Sequence, residues 1–135
     1  NFSITYYTHR PEGSRLANAL FYKGRMYKYA NEHPNAISFY LQALDVSEKS
    51  DDYALLGRIY SDLGEISIKG ENHNKAEAEY RKAMYFFEKC NFNDYIVNSL
   101  IQIGKIKNHK NQSTGLLRAR GTDFFQYFLH RILTM

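Results

Sequence analysis

The side chains that most often carry out chemistry are sparse in this sequence and form no catalytic or metal-binding pattern. No His-Glu-x-x-His pair occurs, and the phosphate-binding Gly-x-x-x-x-Gly-Lys and nucleophile-elbow Gly-x-Ser-x-Gly motifs are absent. Cys90, the single cysteine, has no basic cluster or histidine pair beside it in the sequence, which predicts a plain thiol at a helix end. The five histidines are His9, His33, His73, His109 and His130. We therefore expect no enzymatic activity, no metal site and no cofactor.

The C-terminal part of the chain has an excess of basic residues, which accounts for the net charge of +4. Within that part the basic residues are separated from one another and form no Arg-rich run, and no aromatic–basic module typical of RNA-binding sheets accompanies them. These residues are Lys105, Lys107, Lys110, Arg118, Arg120 and Arg131. We interpret them as a solvated face and expect no nucleic-acid partner.

The 135 residues, 44% hydrophobic and 24% charged, are sufficient for one globular core. No apolar run approaches the roughly 20 residues of a membrane span, and the first ten residues lack a signal-peptide pattern. These features predict a soluble chain without a membrane span. They leave open whether the protein is cytoplasmic or belongs to a bacterial periplasm or envelope, and one cysteine does not decide between them.

Two stretches forty residues apart share a pattern that predicts how the chain folds. Residues 33–49 read HPNAISFYLQALDVSEK, and residues 73–89 read HNKAEAEYRKAMYFFEK. The same step relates Gly24 to Gly64 and Gly104, and relates SITYY at residues 3–7 to ALDVS and AMYFF. These matches predict a repeat array that opens on the last turns of an earlier unit.

Each unit has the features of two packed helices joined by a turn. Gly24 lets a neighbouring helix approach closely, despite a helix-propensity cost of about 1 kcal/mol relative to Ala. Pro34 suits a first helical turn, and Gly70 suits a helix end. Because one hairpin cannot bury both of its faces, successive copies must stack. The sequence therefore predicts an all-α solenoid.

These residues resemble the tetratricopeptide repeat (TPR) family, which carries Leu-Gly and Tyr in its first helix and Ala, an aromatic residue and Ala in its second. The pattern occurs at Leu20, Gly24, Tyr27, Ala36, Tyr40 and Ala43, and again at Tyr60, Leu63, Gly64, Ala76, Tyr80 and Ala83. A third copy is partial, since its second-helix positions are Leu116, Arg120 and Asp123. The period is forty rather than about 34, and Glu48 and Glu88 replace the helix-ending proline, so the second helices should be longer.

This resemblance, to a long-unit and bacterial-type array, implies a division of the chain. Residues 1–110 form the repeat array, with units near 17–56 and 57–96, a partial unit at 97–110, and the end of a preceding unit at 1–8. Residues 111–135 form a linker and a C-terminal amphipathic helix, whose apolar face is Phe124, Phe125, Phe128, Leu129, Ile132 and Leu133. We expect this face to cap the array; a homodimer contact, a membrane-surface helix and an artificial chain end are the alternatives.

The resemblance also implies a concave groove, lined by the first helices, that holds a peptide or a partner helix. The register gives its positions as Asn18, Phe21, Arg25, Lys28, Arg58, Ser61, Glu65, Ile68, Asn98, Ile101 and Lys105. In one interpretation Arg25 and Lys105 flank Glu65 as solvated ion pairs. In the other, basic side chains face an acidic peptide or terminal carboxylate, with Phe21 and Ile101 as apolar pockets. A chaperone-type carboxylate clamp is not expected, since Phe21 and Arg25 stand where it needs Lys and Asn.

We therefore expect a protein-binding or peptide-binding scaffold without catalytic activity of its own. The alternative is a peptide-sensing receptor domain of a signalling protein, in which ligand binding alters contacts with another domain. An accessory domain of an enzyme is a third, weaker interpretation.

Overall fold

The computed structural model describes residues 12–113 and 129–134, and all regular secondary structure in these ranges is helical. Consecutive helices pack against each other, so the fold is an all-α solenoid of helical hairpins, as predicted. The five helices are α1 (Glu12–Tyr29), α2 (His33–Ser50), α3 (Tyr53–Lys69), α4 (His73–Lys89) and α5 (Asn93–Ser113). Residues 129–133 form a further helical turn, which we call the C-terminal turn.

The four turns between these helices share one backbone feature, a residue in the left-handed conformation. Its φ lies between 53° and 60° at Asn31, Asp51, Glu71 and Asn91, which are spaced twenty residues apart. In the α3–α4 turn, the Asn72 amide donates to the Ser67 carbonyl and the Glu71 amide to the Ile68 carbonyl, which is a Schellman-type helix end. Gly70, which the sequence suggested as the helix-ending residue, has a φ of −84°, so the left-handed position falls one residue later.

Helix length explains why the repeat is forty residues long. The four helices from α1 to α4 contain 17 or 18 residues each. With their short turns they fill forty residues per hairpin, and α2 ends at Ser50, beyond Glu48, as predicted. The unit limits placed near residues 56 and 96 fall inside α3 and α5, because the hairpins begin several residues earlier than the pattern suggested. Likewise α5 continues through residue 113 rather than giving way to a linker at 111.

Within each hairpin, a tyrosine ring of the second helix lies directly over a glycine of the first. A Cβ built on Gly24 would stand 2.8 Å from two ring atoms of Tyr40, and one on Gly64 would stand 2.8 Å from the Tyr80 ring. Both tyrosines are buried, with alanines on the same stripe of their helices. The close approach inferred from Gly24 is therefore present in both hairpins, and each glycine defines how near the two helices lie.

The C-terminal turn packs on the last hairpin and α5. Ile132 lies against the apolar cluster formed by Ala83, Met84, Phe87, Ile96 and Leu100. Arg131 contacts the Met84 sulfur at 3.9 Å. This placement leaves Ile132 occupied within its own chain, whereas Leu129 and Leu133 are exposed, and capping of the array by the whole predicted face stays a prediction. The remaining residues of the predicted face (Phe124, Phe125 and Phe128), like the segment 1–8, lie outside the described residues.

An ion-pair cluster around Glu77 holds α5 on α4. The Glu77 carboxylate accepts hydrogen bonds from Lys110 at 2.9 Å and from Arg81 at 3.0 Å, and Lys107 lies 3.6 Å away. Burial raises the pKa of this carboxyl, but the hydrogen bonds from Lys110 and Arg81 and the Lys107 charge outweigh burial and lower the pKa to about 2. Lys107 and Lys110, which the sequence predicts on a solvated face, thus form contacts between helices.

Alanine at Gly24 or Gly64 should destabilise the protein, although alanine favours helix. The added methyl group must displace a buried tyrosine ring, an overpacking cost of about 1–3 kcal/mol that exceeds the gain in helix propensity. The control is Gly13→Ala, whose Cβ would lie 3.5 Å from Val46, an ordinary contact. Urea unfolding followed by circular dichroism should show lower stability for the first two variants and unchanged or higher stability for the third. Equal effects at all three positions would contradict the close approach.

The contribution of Glu77 to stability should disappear in acid. A carboxyl whose pKa is lower in the folded state stabilises the protein above its unfolded value of about 4.5, and this contribution is lost as the pH falls towards 2. Urea unfolding of Glu77→Gln at a series of pH values should therefore show a deficit at pH 7 that shrinks below pH 4.5. Asp45→Asn, which removes an exposed ion pair within α2, should show little deficit at any pH. A deficit for Glu77→Gln that does not change with pH would contradict the charge-based account.

Candidate binding groove

A cavity of about 490 Å³ opens on the side of the array formed by α1, α3 and α5. Seven of the eleven predicted groove residues line it: Arg25, Lys28, Arg58, Ser61, Glu65, Ile68 and Asn98. Seven further residues complete the wall: Tyr29, Asp62, Lys69, Tyr80, Phe87, Tyr95 and Gln102. The first helices of successive units supply most of these side chains, while Tyr80 and Phe87 form the part of the wall contributed by α4.

Four predicted groove residues lie elsewhere. Phe21 is fully buried, so it belongs to the core and cannot serve as the apolar pocket that the sequence suggested. Asn18 donates from its amide to the Ser14 carbonyl of its own helix at 2.8 Å. Ile101 is half-buried and Lys105 is exposed, and neither lines the cavity.

The charged floor of the groove is organised around Asp62. Its carboxylate accepts hydrogen bonds from Arg25 Nε at 2.9 Å and from the Tyr40 hydroxyl at 2.7 Å, and Lys28 Nζ lies 3.4 Å away. Lys28 also donates to Glu65 at 2.8 Å. The side chains of Lys28 and Asp62 are only 3% and 6% exposed, so the network is largely removed from water. It connects α1 and α2 of the first hairpin to α3 of the second.

This network corrects the predicted column of Arg25, Glu65 and Lys105. Arg25 pairs with Asp62 rather than with Glu65, and Glu65 pairs with Lys28. The hydrogen bond to Asp62 raises the pKa of Arg25, and it outweighs the effect of partial burial. Burial, and then the hydrogen bond to Asp62, raises the pKa of Tyr40. Arg25 and Lys28 are therefore used within the protein and are not free cations for a ligand.

Arg58 differs from these two cations, because no ion pair joins it to a carboxylate of the described residues. Its guanidinium lies 4.8 Å from the centre of the Phe21 ring and 5.8 Å from that of Tyr22. Stacking on aromatic rings orients an arginine without using its hydrogen-bond donors. Arg58 is thus held in place on the wall while its donors stay available.

The far end of the groove is polar and uncharged. Asn98 and Gln102 lie one turn apart on α5, and Tyr80 faces the same cavity from α4. Burial raises the pKa of the Tyr80 hydroxyl, which stays protonated at neutral pH. Gln102 is the register counterpart of Asp62, so the position whose carboxylate accepts from Tyr40 holds an amide forty residues later. This end of the groove offers hydrogen-bond donors and acceptors but no charge.

Comparison with models of protein families identifies the family of this chain. A model described as a tetratricopeptide repeat matches residues 15–89, which is more than half of the sequence. The chain belongs to the tetratricopeptide repeat family. No curated protein and no solved structure matches the chain. The narrower placement as a long-unit, bacterial-type TPR array stays a prediction.

Membership of the TPR family supports a role in protein–protein interaction, since TPR repeats generally mediate such contacts and form a non-catalytic scaffold fold. Within residues 12–113 and 129–134, no group of three or more His, Cys, Asp or Glu side chains could hold a metal ion. In the same ranges no helix is both long enough and apolar enough to span a membrane.

A simple signal could have identified most of the missed groove residues. The register anchored on the glycines selected one stripe per helix, but a groove wall is wider than one stripe. Positions 58, 62, 65 and 69 of α3 and positions 95, 98 and 102 of α5 are spaced by three or four residues and so share a helix face. Tyr80 and Phe87 could not have been found this way, because they belong to a helix assigned wholly to packing.

Neutralising Asp62 should destabilise the TPR array far more than neutralising its neighbour Glu65. In Asp62→Asn, Arg25 and Lys28 lose their buried partner, and breaking a buried ion pair costs about 3–5 kcal/mol. Glu65 is 45% exposed, so Glu65→Gln should cost less than about 1 kcal/mol. Both variants replace a carboxylate beside Lys28 with an amide, and urea unfolding at pH 7 compares them directly. Equal losses of stability would contradict the role of Asp62 as the centre of the network.

Proposed function

We propose that this TPR protein binds an extended peptide segment of a partner protein in the groove, and that an acidic group of the peptide pairs with Arg58. The observation that carries this proposal is the arginine on the wall, oriented by Phe21 and Tyr22 and without a carboxylate partner in the described part of the chain. An arginine held in this way can form two parallel hydrogen bonds to a carboxylate. The ligand therefore carries an Asp, Glu or terminal carboxylate at this point.

The charge balance of the groove supports an acidic rather than a basic ligand. Four basic and two acidic side chains line the cavity. Both carboxylates, Asp62 and Glu65, are paired with Arg25 and Lys28. The excess charge is thus that of Arg58 and Lys69. Neither forms an ion pair with another described residue, and they lie on the second turn and at the end of α3. A basic peptide would meet these cations and find no free carboxylate on the described wall.

The neutral end of the groove supports a peptide rather than a small anion. Asn98 and Gln102 each carry an amide that can both donate to and accept from a main-chain peptide group. Tyr80 adds a hydroxyl, and Phe87 and Tyr95 add aromatic surface. A volume of about 490 Å³ lies within the range of about 300–1,000 Å³ typical of ligand sites. A free anion would use the cations alone, whereas a peptide uses both ends.

The receptor alternative remains a prediction. A homodimer through the C-terminal helix is not proposed, because Ile132 packs on its own chain.

Peptide binding should depend on Arg58. We would probe the labelled protein with an arrayed library of short peptides of acidic, neutral and basic composition, and then measure affinities of the selected peptides by fluorescence polarisation. We expect acidic peptides to be preferred, with affinity falling as salt rises and at least about tenfold weaker binding by Arg58→Glu, the loss of one charged hydrogen-bonded contact. Thermal unfolding of this variant checks that it remains folded.

The matched control is Lys49→Glu, which makes the same change of charge at an exposed site outside the cavity. It should bind the selected peptides like the wild type. If Arg58→Glu and Lys49→Glu bind equally, the groove is not the binding surface. If basic or neutral peptides are preferred, the acidic partner is wrong even if the groove is right.

A further inference from the structure

Two aromatic side chains at the start of α5 are exposed beside the groove. The exposed fraction is 40% for Phe92 and 47% for Tyr95. The centres of their rings lie 5.8 Å apart, and the Tyr95 ring also stacks on the buried Phe87 ring, with 5.0 Å between the ring centres. Tyr95 lines the groove, and together with residues 91–94 it lines a second, smaller cavity of about 360 Å³. The two cavities thus have the Tyr95 side chain in common.

Phe92 occupies a position at which a polar residue would stabilise the helix. Its carbonyl accepts the first helical hydrogen bond of α5, from the Ile96 amide at 3.0 Å, so it is the N-cap residue. The same position before α3 and α4 holds Asp52 and Asn72, whose side chains accept a hydrogen bond from a backbone amide of the first turn. Phe92 has no such acceptor, and a cap of this kind is worth about 1 kcal/mol. Helix capping therefore disfavours a phenylalanine here, and a ring that stays partly exposed recovers only part of the loss by packing.

Tyr95 is larger and more exposed than its counterpart one unit earlier. That counterpart is Leu55, which is 2% exposed, and the counterpart of Phe87 is the small Ser47. Phe87 is fully buried and lies so close to Gly57 that an added Cβ there would stand 2.6 Å from its ring. Because Phe87 fills this space, the Tyr95 ring stacks on it from outside and stays at the surface, on the wall of the groove.

We propose that Phe92 and Tyr95 bind an apolar side chain of the peptide whose acidic group pairs with Arg58. This apolar site depends on the proposed function, because it requires a peptide in the groove. A Phe, Leu or Ile side chain would cover the two exposed rings and so remove apolar surface from water. Arg58 and Tyr95 line the same cavity, so a single peptide reaches both. The ligand is thus defined by one acidic and one apolar residue.

Asp94 limits what can stand next to the apolar residue of the ligand. It is exposed, lines the second cavity with Phe92, and forms no ion pair with another described residue. Its carboxylate repels an acidic group placed directly beside the bound apolar side chain. The acidic and the apolar residue of the ligand are therefore separated along the peptide, with the acidic residue nearer Arg58.

Peptides with one Glu and one variable residue test this apolar site. We would place Phe, Leu or Ala at varied separations from the Glu in a Gly-Ser background and measure affinities by fluorescence polarisation. At the favoured separation, the wild type should bind the Phe and Leu peptides at least about fivefold more tightly than the Ala peptide, as burial of an apolar side chain predicts. Phe92→Asn should bind the three peptides nearly equally, while Arg58→Glu should weaken all three.

The substitution at position 92 is chosen so that the variant folds. Asparagine is the N-cap residue of α4, so Phe92→Asn supplies the acceptor that α5 lacks, and its Tm should stay within roughly 2 °C of the wild type. The matched control is Tyr85→Asn, which replaces an aromatic residue of α4 that is 54% exposed and lies outside both cavities. This control should keep the wild-type preference for Phe and Leu.

Four outcomes would overturn the proposal. The wild type could bind the Phe, Leu and Ala peptides equally although Arg58→Glu weakens them all, which would leave an acidic-peptide groove without an apolar site. Phe92→Asn could keep the full preference, which would place the apolar site elsewhere. Sedimentation could show a wild-type dimer that Phe92→Asn dissociates, in which case a second copy covers the rings. If Arg58→Glu weakens no peptide, the proposed function itself fails, and the apolar site fails with it.

Discussion

Inside each hairpin a tyrosine ring contacts a glycine, and in the first hairpin this contact positions the side chains that join the units and form the groove floor. Gly24 brings α1 so close to α2 that the Tyr40 ring fills the space of a missing side chain. The ring then extends across the hairpin, and its hydroxyl reaches Asp62 in the next unit. Asp62 in turn holds Arg25 and Lys28. The packing of one hairpin thus fixes both the junction between units and the charge of the groove floor.

The second hairpin has the same glycine–tyrosine contact as the first, but different residues surround it. Tyr80 lies on Gly64 as Tyr40 lies on Gly24, yet the residue forty positions after Asp62 is Gln102. The stacked pair of Tyr27 and Phe39 is similarly replaced by Ser67 and Glu79, which share a hydrogen bond of 3.3 Å. Burial raises the pKa of the Glu79 carboxyl, and its second oxygen has no hydrogen-bond partner. The glycine–tyrosine contact is therefore present in both copies, whereas surrounding positions differ, and the change from Asp62 to Gln102 gives the groove a charged end and a neutral end.

The same distinction explains how far the sequence could predict the structure. Helix number, the turns and the Gly24–Tyr40 contact follow from spacing and residue size, which the forty-residue register makes visible. The partners of the charged residues do not follow, because Asp62 and Glu65 lie three positions apart on one face of α3, and spacing alone does not decide which of them pairs with Arg25. Phe21 was wrongly placed in the groove because the register gives a position along the helix but not the direction of the side chain. Its counterpart Ser61 in α3 lines the groove, whereas the larger Phe21 ring is buried in the core, where Arg58 stacks on it.

Counting charges along the sequence therefore overstates what a groove can offer a ligand. Four predicted groove residues were basic, but Lys28 is almost fully buried between two carboxylates and Arg25 is bound to Asp62. Lys105 does not line the cavity. Removing Arg25 or Lys28 would consequently weaken the junction between units, and any loss of binding that followed would be indirect. Arg58 alone among the four combines a place on the wall with support from aromatic rings rather than from a carboxylate, and it is therefore the residue through which the proposed acidic ligand would bind.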